Sequence, residues 1–190
     1  MATEDKFELT DADLAEAKRY VGSSGNCSIT RSYFKETHSS VENAEMDSGG
    51  LYCLEKLVRL AFIQEMKNDP QLGAQTGFMQ YLNGLINDFE STIISDWRPE
   101  RSAKRICDFM VGFYNLYNYQ WKRRGRSDTE LCEQFVTIMQ KCLDFAYMEL
   151  SKRFDSLPKE IEDVINEAFF YANSRIEEWH EEISMEIPAA

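Results

Sequence analysis

The chain has little of what catalytic and metal sites are usually made from. It carries only two histidines, His38 and His180, in 190 residues, and neither has the set of partners that metal or nucleophilic chemistry needs. His180 closes a Glu177-x-x-His180 pair, but a carboxylate-bridged di-iron bundle needs a second such pair and two further glutamates. Among the glycines, Gly22, Gly25, Gly49 and Gly50 form neither a dinucleotide loop nor a phosphate loop, and no G-x-S-x-G elbow occurs. Cys132 and Cys142 are ten apart, which is not a zinc-finger spacing. No catalytic residue, metal ligand or cofactor is expected.

Other absences bound the setting. The five cysteines Cys27, Cys53, Cys107, Cys132 and Cys142 are odd in number and widely spaced, a pattern expected of buried free thiols in a reducing compartment. The most apolar run, Ile106 to Trp121, is interrupted by Asp108, Asn115, Asn118 and Gln120, so no spanning helix is expected. The first residues lack a secretory signal and a glycine at position 2, and the expected location is cytoplasmic or nuclear, where the Asn26-Cys27-Ser28 sequon stays unmodified. A net charge of −12 disfavours binding of nucleic acid or anionic membrane by the surface as a whole.

What is abundant is helical spacing. The hydrophobic content of 43% over this length suits one well-buried core, and residues 1–190 are read as a single all-α domain, a bundle of about six or seven helices. Its folded unit covers 10–187, with flexible ends at 1–9 and 188–190 and a loop-rich stretch at 23–50. A short helix starts at Thr10 and stops at Gly22, and a weak helical stretch covers 29–37. A third helix over Leu51–Asn68 ends at Asp69-Pro70, because the residue before proline is pushed out of the helical region. Its stripe is Leu51, Leu54, Val58 and Ala61, but Leu60 and Ile63 project elsewhere, which predicts a central helix covered on more than one side.

The next helix, Thr76–Ser95, carries Phe78, Leu82, Leu85, Phe89 and Ile93 on one face. Pro99 opens a helix to Arg124 with two adjacent stripes, Ala103, Cys107, Met110, Tyr114, Tyr117, Trp121 and Ile106, Phe109, Phe113, Leu116. Ser127 and Glu130 form a capping box for a helix over Asp128–Phe154 that buries Leu131, Phe135, Ile138, Met139, Cys142 and Ala146. The final helix, from Pro158 to Pro188, has the stripe Ile161, Ile165, Ala168, Ala172, Ile176, Trp179 and Ile183.

Two features could carry function. Residues 98–126 hold eight cations, Arg98, Arg101, Lys104, Arg105, Lys122, Arg123, Arg124 and Arg126, against Glu100 and Asp108, so the segment is +6 and the remainder −18. Cations crowding a helix start oppose the helix dipole and call for an anion. That anion is either internal, for which the ten acids of residues 155–190 are candidates, or external, an RNA, phosphopeptide or phosphoinositide headgroup. Arg123-Arg-Gly-Arg-Ser127 also has the form of a basophilic kinase site, although Ser127 has a complete role as a cap. The second feature is surplus apolar surface at Phe170, Tyr171, Leu60 and Ile63, which points to a protein partner or a second copy of the chain. The aromatic stretch Phe113–Trp121 reads as core, with a ligand pocket as the alternative. The leading expectation is a non-enzymatic, self-associating helical interaction module; the alternative is an anion-binding module on the basic segment.

Overall fold

The structure, a computed structural model, describes residues 41–187, with side chains from Gly49 onward. The helix expected from Thr10, the stretch at 29–37, Cys27 and His38 lie outside the described residues. Within them the chain forms six α-helices and no strand: α1 (Val41–Asn68), α2 (Thr76–Ser91), α3 (Pro99–Val111), α4 (Tyr114–Lys122), α5 (Asp128–Ser151) and α6 (Lys159–Glu186), with a 3-10 turn at Phe154–Ser156. α1 is central, packing against α2, α3, α5 and α6, and all described helices contribute to one apolar core.

Where the elements depart from the expectations, the reasons are local. The stretch expected to be loop up to residue 50 is the first part of α1, and Gly49 and Gly50 are buried in it. A Cβ on Gly50 would stand 2.9 Å from Ile161 Cγ2 and 3.3 Å from Ile165, so the absent side chain lets α1 and α6 approach closely. The helix expected over Pro99–Arg124 is broken at Gly112-Phe113, where Phe113 N–H donates to Met110 O at 3.0 Å, a tightened turn. The break places the Phe113 ring among Phe62, Phe78 and Phe109, at 5.4, 6.2 and 5.5 Å. α2 stops at Ser91 rather than Ser95, because the hydroxyls of Ser91 and Thr92 both donate to Asp88 O, at 3.0 and 2.7 Å, and compete with the helical pattern. Ile93 consequently leaves the stripe and is exposed.

Asp69 ends α1 and organises the turn after it. Its Oδ1 accepts the N–H groups of Gln71 and Leu72, both at 2.9 Å, and its Oδ2 accepts Trp121 Nε1 at 3.0 Å, tying this turn to the end of α4. Gly125, at φ 82, occupies the left-handed region that side chains resist and turns the chain into α5. Ser127 and Glu130 then form the expected capping box, Glu130 N–H to Ser127 Oγ at 3.3 Å and Ser127 N–H to Glu130 Oε2 at 3.1 Å. The box holds the Glu130 carboxyl below its ordinary range, mainly through the Ser127 backbone N–H. Replacing Ser127 with alanine leaves α5 folded but lowers the unfolding free energy by about 1 kcal/mol, seen as a lower urea midpoint with an unchanged slope.

The α6 stripe holds closely: Ile161, Ile165, Ala168, Ala172 and Ile176 are fully buried, with Trp179 and Ile183 packed at the edge. The neighbour with which α6 shares its largest interface is α3. No helix of the described residues is long and apolar enough to cross a membrane.

Candidate functional site

A buried charge cluster lies where α1 meets the start of α3. Glu55 occupies the inward face of α1 and is fully buried. Its carboxylate accepts Ser102 Oγ at 2.6 Å, Arg105 Nη2 at 2.6 Å, and Arg105 Nε at 3.0 and 3.2 Å. Arg105 also donates through Nη1 to Asp96 O at 2.8 Å, and its guanidinium lies 5.1 Å from the Trp97 ring centre. One side chain therefore joins α1, α3 and the linker between α2 and α3. Such a planar fork suits a carboxylate and a carbonyl together; a lysine could not repeat it.

Arg59 stands one turn from Glu55 and is less well served. Its Nη2 is 3.8 Å from Glu55 Oε2, beyond hydrogen-bond reach, and its buried Nε has no hydrogen-bond partner among the described residues. The guanidinium is held between two rings, 4.5 Å from the centre of Phe89 and 4.3 Å from that of Phe109. Burial pulls its pKa below the ordinary value; Glu55 opposes this and the neighbouring Arg105 charge reinforces it. Among the described residues the cluster thus has one anion for two guanidinium ions.

Next to it runs an apolar groove of about 290 Å³ lined by Phe78, Tyr81, Leu85, Phe109, Gly112, Phe113 and Leu116. α2 forms one wall and the broken α3–α4 rod the other. Tyr81 is 56% exposed although its ring lies 6.2 Å from Phe113. Phe109 both lines the groove and covers Arg59, so the guanidinium lies beside the groove, against its wall at Phe109.

The cations of the basic segment lie at the start of α3 and around the end of α4, and most of them meet a partner within the chain. Arg98 and Arg101 converge on Asp96, at 2.7 and 3.5 Å, and the Arg98 side chain in particular holds the Asp96 carboxyl down to about 2. Lys104 pairs with Asp108, Lys122 with Asp128 at 2.7 Å, and Arg126 with Glu130 at 3.8 Å. Arg124 Nε donates to Gln71 Oε1 at 2.9 Å, and Arg123 lies 5.7 Å from the Tyr119 ring centre. At 1.5 Å per residue, Arg101 and Lys122 stand up to about 30 Å apart along the α3–α4 rod. The anions that meet these cations belong to α1, the linker, α3 and the start of α5; the pairs just named do not draw on the acids of α6.

The four residues considered for partner contact also separate. Phe170 is 66% exposed, with its ring 5.9 Å from Tyr171. Tyr171 is half-buried, its hydroxyl donating to Glu167 Oε1 at 3.1 Å. Ile63 is buried and Leu60 half-buried, so Ile63 is covered within the monomer. Tyr114 and Tyr117 are core residues too, packed on Phe135 at 5.3 and 5.2 Å. Burial pushes the Tyr117 phenol up to about 12 and the Cys107 thiol to about 11, and the described cysteines are all free and buried.

Sequence reasoning missed Glu55, Arg59 and the groove. A signal for Glu55 was present, since it continues the Leu51–Phe62–Met66 face as a charge on a buried stripe. Nothing in the spacing indicates that Phe78, Leu85, Phe109 and Leu116, each on an apolar face, leave a furrow between them. Among the described residues no group of three or more histidine, cysteine or acidic side chains could hold a metal. Compared with known protein families, characterised proteins and solved structures, the chain has no significant match to any of them.

Proposed function

We propose that this protein is a non-enzymatic helical interaction module that holds another polypeptide in the groove between α2 and α3–α4. The observation that carries this reading is an aromatic furrow left open to solvent in a bundle whose remaining described helices close on one core. Grooves with this lining accept the apolar face of a helix through anchors one and two turns apart. Self-association belongs to the same reading: Phe170, on the outer face of α6, is the apolar side chain a second copy would cover, giving a mass above the 22.1 kDa of one chain. The basic segment supports the alternative of an anion-binding module less well, because most of its cations already meet a carboxylate or amide of the same chain.

The reading is tested with a displayed library of amphipathic helical peptides. Binders shift the methyl signals of Leu85 and Leu116, and Leu85→Glu weakens them by at least about tenfold, as expected for a central anchor. Steep loss of binding to RNA or inositol phosphate with added salt, together with failure of every helical peptide, would favour the alternative instead.

A further inference from the structure

The groove and the charge cluster meet at Arg59, and together they describe the partner more closely than either does alone. Two arginines face one carboxylate there, and Arg105 takes nearly all of that carboxylate's capacity through three contacts of 3.2 Å or less. Arg59 keeps a 3.8 Å contact and an unpartnered Nε among the described residues. A largely buried cation without hydrogen bonds to an anion is costly, and a carboxylate arriving through the adjacent opening would relieve it. The Arg59 side chain retains 13% of its exposure and lies under Phe109, a residue of the groove wall. The lining itself, apart from Gly112, is aromatic and aliphatic.

Resting on the interaction-module reading, we infer that the groove takes an amphipathic helix of a partner protein whose apolar residues fill the Phe78–Leu116 furrow and whose single aspartate or glutamate, beside the Phe109 wall, pairs with Arg59. The apolar anchors supply area and the acid sets register, because only one placement along the furrow brings a carboxylate to the guanidinium. Phe89 and Phe109 both lie against that guanidinium, at 4.5 and 4.3 Å, so it is positioned before the partner arrives and loses little freedom on binding.

The probes are the peptides recovered from the helical library, each made in a second form with its acid changed to asparagine or glutamine. The expected result is enrichment of one acidic position in a fixed register, a loss of at least tenfold in affinity for wild-type protein when that acid is neutralised, and a similar loss for the acidic peptide with Arg59→Met. Arg59→Met with the neutralised peptide loses little more, since the two changes remove the same contact. The peptide-side change needs no protein variant, so the result stands even if Arg59→Met folds poorly.

Peptides that bind the groove and are weakened by Leu85→Glu, but show no acidic preference or keep it with Arg59→Met, overturn the inference and leave the interaction module standing. Failure of any helix to enter the groove defeats both. A wild-type dimer dissolved by Leu85→Glu, with no peptide bound, makes the occupant a second copy and likewise overturns the inference.

Discussion

Replacing Glu55 with glutamine lowers the unfolding free energy by about 3–5 kcal/mol, the range for removing one partner of a buried ion pair. Glutamine fills nearly the same space and keeps an acceptor for Ser102 Oγ, now at 2.6 Å, so the loss is not one of packing. What changes is that Arg105 and Arg59 remain buried or half-buried with no carboxylate between them. The destabilisation persists in high salt, because the carboxylate is fully buried and screening acts on exposed charge. A double-mutant cycle of Glu55→Gln with Arg105→Met returns a coupling of about 1–3 kcal/mol, whereas Arg98→Met with Asp96→Asn, an exposed pair, returns a much smaller one that added salt removes. Equilibrium urea unfolding followed by circular dichroism reads all of these. A loss below about 1 kcal/mol for Glu55→Gln would mean that water or a shifted Arg105 supports the site, and the picture of a rigid joint between α1, α3 and the linker would fail.

That joint also explains the crowding of cations at the start of α3. Four cations within eight residues, Arg98 to Arg105, oppose the positive end of the helix, yet the structure supplies two anions there: Asp96 just ahead of Pro99, and Glu55 from α1. The oddity visible in the sequence was a true signal that an anion must be near. Its source was not legible, because charge counting along the chain favoured the ten acids after residue 154, and pairing is decided by which helix lies across the gap. Glu55 was hidden by its own neighbours: in Leu54-Glu55-Lys56-Leu57 it reads as an ordinary solvated charge unless the stripe is projected onto the helix.

The same division holds for the rest of the molecule. Stripes with a clean period, such as Ile161–Ile176, and breaks made by proline or a capping box were readable, since each depends on the residues within one or two turns. Gly49-Gly50 reads locally as a turn and is instead the place where α1 and α6 touch, a meaning set by Ile161 and Ile165 more than one hundred residues later. The groove is less legible still, because an opening is a property of the fit between two helices. Phe78 and Leu85 lie on a face predicted to be buried, and they are only half-covered because α2 packs on α1 while the break at Gly112-Phe113 turns the opposing wall.

Phe135→Ala carries the other large expected effect, a loss of about 3–5 kcal/mol, because its ring is where four helices meet. It is fully buried on α5 and touches Phe62 of α1 at 5.9 Å, Tyr114 and Tyr117 of α4 at 5.3 and 5.2 Å, and Trp179 of α6 at 5.8 Å. Truncation leaves a void bounded by four large rings on three other helices. None of them can fill it without leaving its own packing, so little relaxation is available. Phe170→Ala is the matched control: the same chemical change on the exposed face of α6 shifts stability by about 0.5 kcal/mol or less. Tryptophan emission reports the difference directly, since Trp179 packs on the Phe135 ring, and a shift to longer wavelength in folded Phe135→Ala accompanies the lower urea midpoint. Equal losses at the two positions would contradict the burial of Phe135 and the exposure of Phe170 together. They would also remove the basis for treating the α6 outer face as surface that a second copy can cover.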